Sequence, residues 1–169
     1  MINLSAESIR AIITLAFIFA SWIGMAQNTL TKSFDKADER LADLMIFGLD
    51  HGIESVMASV TGPLIPFVVT DSKGERTIKR LMTDRLEDGL ENGLTLLRTD
   101  QTCDYGIVVY DGYLTVGGEK YDAVIVRGFD RKDKLGYMIG QRYQLESSTE
   151  PFKKVGNPIF VGNDEQLLK

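Results

Sequence analysis

The chain has 169 residues, 44% of them hydrophobic and 25% charged, with a formal net charge of -5 and a pI near 4.9. That composition fits one ordinary globular domain and excludes a disordered or collagenous chain, and the acidic balance argues against a nucleic-acid binder, which needs clustered Lys and Arg to neutralise phosphates. One cysteine, Cys103, and one histidine, His51, exclude a disulfide framework, a zinc site built from several Cys and His, and any mechanism that requires two histidines.

Residues 11–31 hold no charged side chain, and the run AIITLAFIFASWIGMA is apolar on every side of a helix rather than along one stripe. Its length suits a helix crossing a ~30 Å hydrocarbon layer, with Trp22 where an interfacial aromatic would stand. The expected organisation is an apolar N-terminal helix over residues 1–32, serving as a membrane anchor, and a single domain over 33–169. Arg10 before the span, against Lys32, Lys36 and Arg40 after it, places that domain on the cytoplasmic side, and an unpaired cysteine agrees with a reducing compartment. Gly24 and Ala26 ahead of Gln27 also fit a signal peptide cleaved near Ala26, which would make the protein secreted or periplasmic. A natural start at Met25 and a helix buried in a soluble assembly are the other readings.

Beyond the anchor, Ala37, Leu41, Leu44, Gly48, Leu49, Ile53, Val56 and Val60 recur every three to four residues and predict an amphipathic helix over 35–60. Ser33 or Asp35 can cap it, and Thr61-Gly62-Pro63 ends it. LIPFVVT, residues 64–70, reads as a strand whose Pro66 favours an edge or the strand's start, closed by the turn-like 71–74. A second helix is expected from Glu75 to about Leu97, with Ile78, Leu81, Met82, Leu86, Leu90, Leu94 and Leu97 inward and Gly89 and Gly93 marking close packing.

The period then shortens to that of strands, at 105–110, 113–116, 121–129 and 135–145. Asp111-Gly112, residues 117–120 and the charged loop 130–134 are the expected turns, and IFV after Gly156-Asn157-Pro158 is a short last strand. The predicted fold class is therefore α+β: two amphipathic helices packed on one face of a mostly antiparallel sheet of about five strands, with a meander at 105–145.

Tight turns fix register. A hairpin at Asp111-Gly112 sets Tyr110 opposite Tyr113 and Val108 opposite Thr115; the next turn sets Thr115 opposite Asp122 and Tyr113 opposite Val124; the loop after it sets Asp122 opposite Arg142. One face then carries Ile107, Val109, Leu114, Val116, Ala123, Ile125 and Ile139 and receives the helices. The other carries Tyr110, Tyr113, Thr115, Asp122, Val126, Met138 and Arg142, a mixed surface with two aromatics and an acid-base pair. Tyr110, Tyr113, Thr115, Asp122 and Arg142 are the candidate binding residues, because tyrosines anchor interfaces; a plain cross-strand ion pair between Asp122 and Arg142 is the blander account of the same residues.

Gly62-Pro63-Leu64, Pro66-Phe67, Tyr110-Asp111-Gly112-Tyr113, Asp122-Ala123, Gln141-Arg142-Tyr143 and Gly156-Asn157-Pro158 together form a pattern that resembles a group of small bacterial proteins of unknown function over roughly 37–162. The resemblance implies a shared α+β domain and no activity, and the apolar N-terminus departs from it.

No phosphate-cradling glycine motif is present. Asp50-His51 with Glu54 one turn on is the nearest approach to a catalytic cluster, and reads more simply as a surface pair. Acidic neighbours at Asp100 and Asp104 disfavour a reactive Cys103. The expectation is a non-enzymatic domain that binds a protein partner or itself, without catalytic residues, metal, cofactor or nucleic acid, and tethered to a membrane through 11–31. The rival is a small hydrolase or nuclease-like enzyme using Asp122 and Arg142 with His51 and Glu54, which requires His51 and Asp122 to share a cleft.

Overall fold

The computed structural model describes residues 34, 36–58 and 63–169 of a chain that divides into 1–36 and Ala37–Lys169. The expected apolar helix with its boundary at residue 32, the caps Ser33 and Asp35, Val60 and the Thr61-Gly62 stop lie outside the described residues. Among the described residues no helix is long and apolar enough to cross a membrane.

The Ala37–Lys169 unit is α+β, with helix α1 (Glu39–Ala58), strands β1 (Phe67–Ser72) and β2 (Glu75–Arg80), helix α2 (Leu86–Thr99), and strands β3 (Tyr105–Val116), β4 (Glu119–Asp130), β5 (Leu135–Gln144) and β6 (Lys153–Glu165). All six strands form one antiparallel sheet in the order β2-β1-β3-β4-β5-β6. Helix α1 starts where Asp38 accepts a hydrogen bond from the Arg40 N–H at 2.9 Å, a cap that frees the first turn from an unmet donor. It buries Leu41, Leu44, Met45, Gly48, Leu49, Gly52, Ile53 and Val56, the expected stripe widened by Met45 and Gly52.

The second helix begins eleven residues later than its spacing suggests. Lys73 and Gly74 both have left-handed φ (55° and 93°), which builds a two-residue hairpin between β1 and β2. Every residue of β2 is exposed, so the strand has no buried side to give it a period of two. Ile78 and Met82, expected inward, are 43% and 81% exposed; their spacing merely extended the true helical stripe of Leu86, Leu90, Leu94 and Leu97. Gly89 and Gly93 behave as expected, for a Cβ on Gly93 would stand 2.9 Å from both Leu81 Cδ1 and Val108 Cγ2.

Asp111-Gly112 is not a turn. Residues 105–116 form one continuous strand in which Asp111 opposes Val124 and Gly112 opposes Ala123. Gly112 is there for space, since its Cβ would meet Ile125 Cδ1 at 2.9 Å. The real turn is Gly117-Gly118, at φ 62° and 87°, with Val116 opposite Glu119. The final strand is long rather than short, and its register against β5 shifts at Met138/Ile139 and Gly140/Arg142.

The absent turn has a large consequence, because each register error of one residue exchanges the faces. Thr115 opposes Lys120, Tyr113 opposes Asp122, and Asp122 opposes Tyr143 while Ala123 opposes Arg142. The helices do not share a face. Gly48 and Gly52 of α1 lie against Ile107, Val109, Val124 and Val126, whereas Gly93 and Leu97 of α2 lie against Val68, Val108 and Gly106, which point the other way. The α2 side also carries Phe129 under Leu167 and Leu168 near the C-terminus. A sheet covered on both sides explains the unalternating runs IVV and AVIV.

Candidate functional site

The five residues expected on one mixed face are divided by the observed register. Tyr113, Thr115 and Asp122 point to the α1 side, and Tyr110 and Arg142 to the α2 side. Asp122 and Arg142 therefore make no ion pair; the Arg142 guanidinium instead lies 5.0 Å from the Tyr121 ring centre, and its buried Nε has no partner.

Tyr110, Tyr113 and Asp122 nevertheless meet at one place, around the edge of the sheet. Strand β1 begins at Phe67, which opposes Val109, and the preceding Pro66 has no N–H to extend the ladder. From residue 110 onward the β3 backbone consequently ladders with β4 alone, while the Asp111 side chain takes the Tyr143 hydroxyl and the Leu64 N–H. A groove of about 300 Å³ runs beside this free half, lined by Tyr110, Asp111, Gly112, Tyr113 and Asp122 on the sheet side and by Pro63, Pro66, Leu86, Glu87 and Leu90 on the other. Helix α2 forms the far wall because Gly89 lets its first turns approach Pro66, with Cγ 3.2 Å from where a Cβ would be.

The floor of the groove is firmly held. Tyr143 donates its hydroxyl to Asp111 at 2.8 Å and stacks on Phe152 with ring centres 5.7 Å apart. Burial pushes the Asp111 carboxyl above the usual carboxylate range, opposed by the donors it receives from Tyr143 and from the N–H groups of Leu64 and Gly112. Burial, reinforced by the bond to Asp111, holds the Tyr143 phenol well above its ordinary value and therefore protonated. The rim is looser: Tyr113 is 61% exposed, and Lys120 Nζ sits 3.6 Å from its ring centre. Thr115 is exposed farther along the same side and does not line the groove.

The residues of the enzymatic reading are not brought together. Helix α1 covers the same side of the sheet as Asp122, contrary to the register worked out from the supposed hairpin, yet His51 and Asp122 line different clefts. The His51 ring lies parallel to Phe47 at 6.0 Å and edge-on to Phe67 at 5.2 Å, and its cleft is shared with Glu54, Ser55 and Arg80. Among the described residues no group of three or more His, Cys, Asp or Glu side chains is placed to hold a metal ion.

Cys103 is fully buried beneath Arg131, whose guanidinium donates to the Cys103 carbonyl at 2.8 Å and the Asp100 carbonyl at 3.1 Å. Burial first, and the Asp100 carboxylate second, push its thiol up to about 11. Buried and held protonated, the thiol is no nucleophile, as its acidic neighbours imply.

The signal that would have found the groove is the length of β3: with Asp111-Gly112 read as strand, residues 110–116 outrun the only partner that β1 can offer. Comparison with family models, with curated proteins and with solved structures finds no match.

Proposed function

We propose that the chain is a non-enzymatic protein-interaction domain, tethered to a membrane by the uncharged residues 11–31, and that it holds its partner in the groove beside the free half of β3. The observation that carries this reading is an unpaired strand edge lying inside a groove with tyrosine and leucine walls. Edge strands offer a row of backbone donors and acceptors, and tyrosine and leucine side chains supply apolar area to a partner that covers them. The partner is another protein, and a second copy of the chain is one candidate for it.

A photo-reactive residue at position 113, compared with one at the exposed Ser148 in the loop before β6, tests the reading in membranes of cells making the full chain. A discrete adduct at 113 that is missing at 148 is expected, its mass separating a second copy from a different protein. No adduct at 113 contradicts the proposal. Tethering is tested in the same cells: the full chain should sediment with membranes and resist alkaline extraction, whereas a mature form beginning at Gln27 outside the cytoplasm would show a cleaved leader.

A further inference from the structure

Resting on that interaction reading, we infer that the groove takes an extended peptide strand, which adds to the free edge of β3 and brings a Lys or Arg side chain to Asp122.

The sheet's own edges point to strand addition. Outer strands invite unwanted pairing, and proteins blunt them with Lys, Arg, Pro and bulges. Both outer strands here are blunted: β2 carries Arg76, Lys79 and Arg80, and β6 carries Pro158, two register shifts and a left-handed glycine at Gly156. Residues 110–116 of β3 carry no Pro, no Lys or Arg and no bulge in their register with β4. Their single charged side chain, Asp111, is engaged by the Tyr143 hydroxyl and by the Leu64 N–H, which leaves 112–116 as the part of the edge that nothing among the described residues reaches from the β1 side. An edge left open inside a groove, on a sheet whose other edges are guarded, is the arrangement that strand addition needs. At ~3.3 Å per residue the open stretch of 112–116 spans roughly 16 Å, enough for a short strand.

Charge identifies the side chain. Glu87, Asp111 and Asp122 line the groove and no Lys, Arg or His does. Glu87 is met by Arg85 at 3.7 Å and Asp111 by Tyr143, while among the described residues no Lys or Arg forms an ion pair with Asp122. The seating of Lys120 on the Tyr113 ring shows that this rim holds an ammonium group.

Register then separates the two sides of the added strand. Tyr110, Leu86 and Leu90 lie on the α2 side, where Glu87 is already met by Arg85, and Tyr113 with Asp122 on the α1 side, so alternate residues of the ligand face a mainly apolar surface and an unpaired acid. The inferred ligand has apolar residues at one parity and at least one basic residue at the other.

Selection of random peptides of about ten residues against the full chain in lipid nanodiscs tests this directly. Enriched peptides should alternate apolar and basic residues, slow amide exchange in residues 112–115, and bind about tenfold more weakly to Asp122→Asn. Asp122→Lys should exchange the preference for Lys and Arg for one for Asp and Glu. Exchange by β4 and β5 amides in each variant reports whether the fold is intact. Peptides that protect another surface, or that bind Asp122→Asn and Asp122→Lys as well as they bind the original chain, overturn the inference and leave the interaction reading standing. A failure to enrich any peptide overturns the inference, and the adduct at 113 separately decides the interaction reading.

Discussion

Strand β3 has two halves with opposite surroundings. Residues 105–109 are paired with β1 on one side and β4 on the other, lie between α1 and α2, and hold Ile107, Val108 and Val109 with no exposure at all. Residues 110–116 are paired on one side, and Tyr113 and Thr115 stand in solvent. The first half serves the fold and the second is the part proposed to meet a partner, although nothing in local composition marks the change except Pro66, just before the neighbouring strand. A single strand can thus be anchored firmly by one end while its other end stays open for use.

The largest effect is expected in the anchored half. Ile107→Ala removes a fully buried side chain under α1 and should cost about 2–5 kcal/mol in denaturant unfolding, with an unchanged slope. A loss below about 1 kcal/mol would mean that this half is not the rigid part.

Gly52→Ala sets two terms against each other. Helix propensity favours alanine by about 1 kcal/mol, while a Cβ would stand 2.6 Å from Val124 Cγ1 and 3.2 Å from Val109 Cγ1, and overpacking a tight contact costs about 1–3 kcal/mol. The stiff β-branched valines leave little room to yield, so net destabilisation is expected. A more stable variant would show that α1 sits farther from the sheet.

Asp111→Asn addresses the boundary between the halves. The Asp111 carboxyl titrates above the usual range when folded, so its contribution to stability is full below the ordinary carboxylate value near pH 4 and is lost as pH rises through the raised value. Asparagine still accepts from Tyr143 through its amide oxygen and does not titrate. Unfolding measured from about pH 4 to pH 7 should show the original chain losing stability relative to the variant. The reverse trend would show that the ionised carboxylate is the favoured partner of Tyr143.

The smallest effect on stability is expected in the open half. Tyr113→Ala removes an exposed ring whose contact is Lys120, and should change unfolding by no more than about 0.5 kcal/mol. The same substitution should shift the oligomeric mass or lose the partner from a pull-down, and a large loss of stability with binding intact would reverse the assignment.

Much of the fold was legible in the sequence. The stripe of α1 was read almost residue by residue because one face of a helix repeats faithfully, and the tight packing at Gly89 and Gly93 was foreseen. Three features were hidden for physical reasons. Strand β2 buries nothing and so shows no alternation. Asp-Gly favours a hairpin turn, but Gly112 answers to the side chain of Ile125 across the strand, a contact that no local rule contains. The helices on opposite sides are encoded in the unbroken apolar run at 107–109, since a strand covered on one face alone would alternate. Of the candidate site, Tyr110, Tyr113 and Asp122 were found from their chemistry, while Leu86, Glu87 and Leu90 could not be, because their place depends on where α2 truly begins.

Amide hydrogen exchange along β3, in the full chain without a partner, tests the division most directly. Slow exchange at every residue of 105–109 and at only every second residue of 110–116 is the pattern that pairing on two sides and then on one requires. Uniform slow exchange from Tyr105 to Val116 would mean that the edge is already occupied, and would contradict a strand half kept open for a partner.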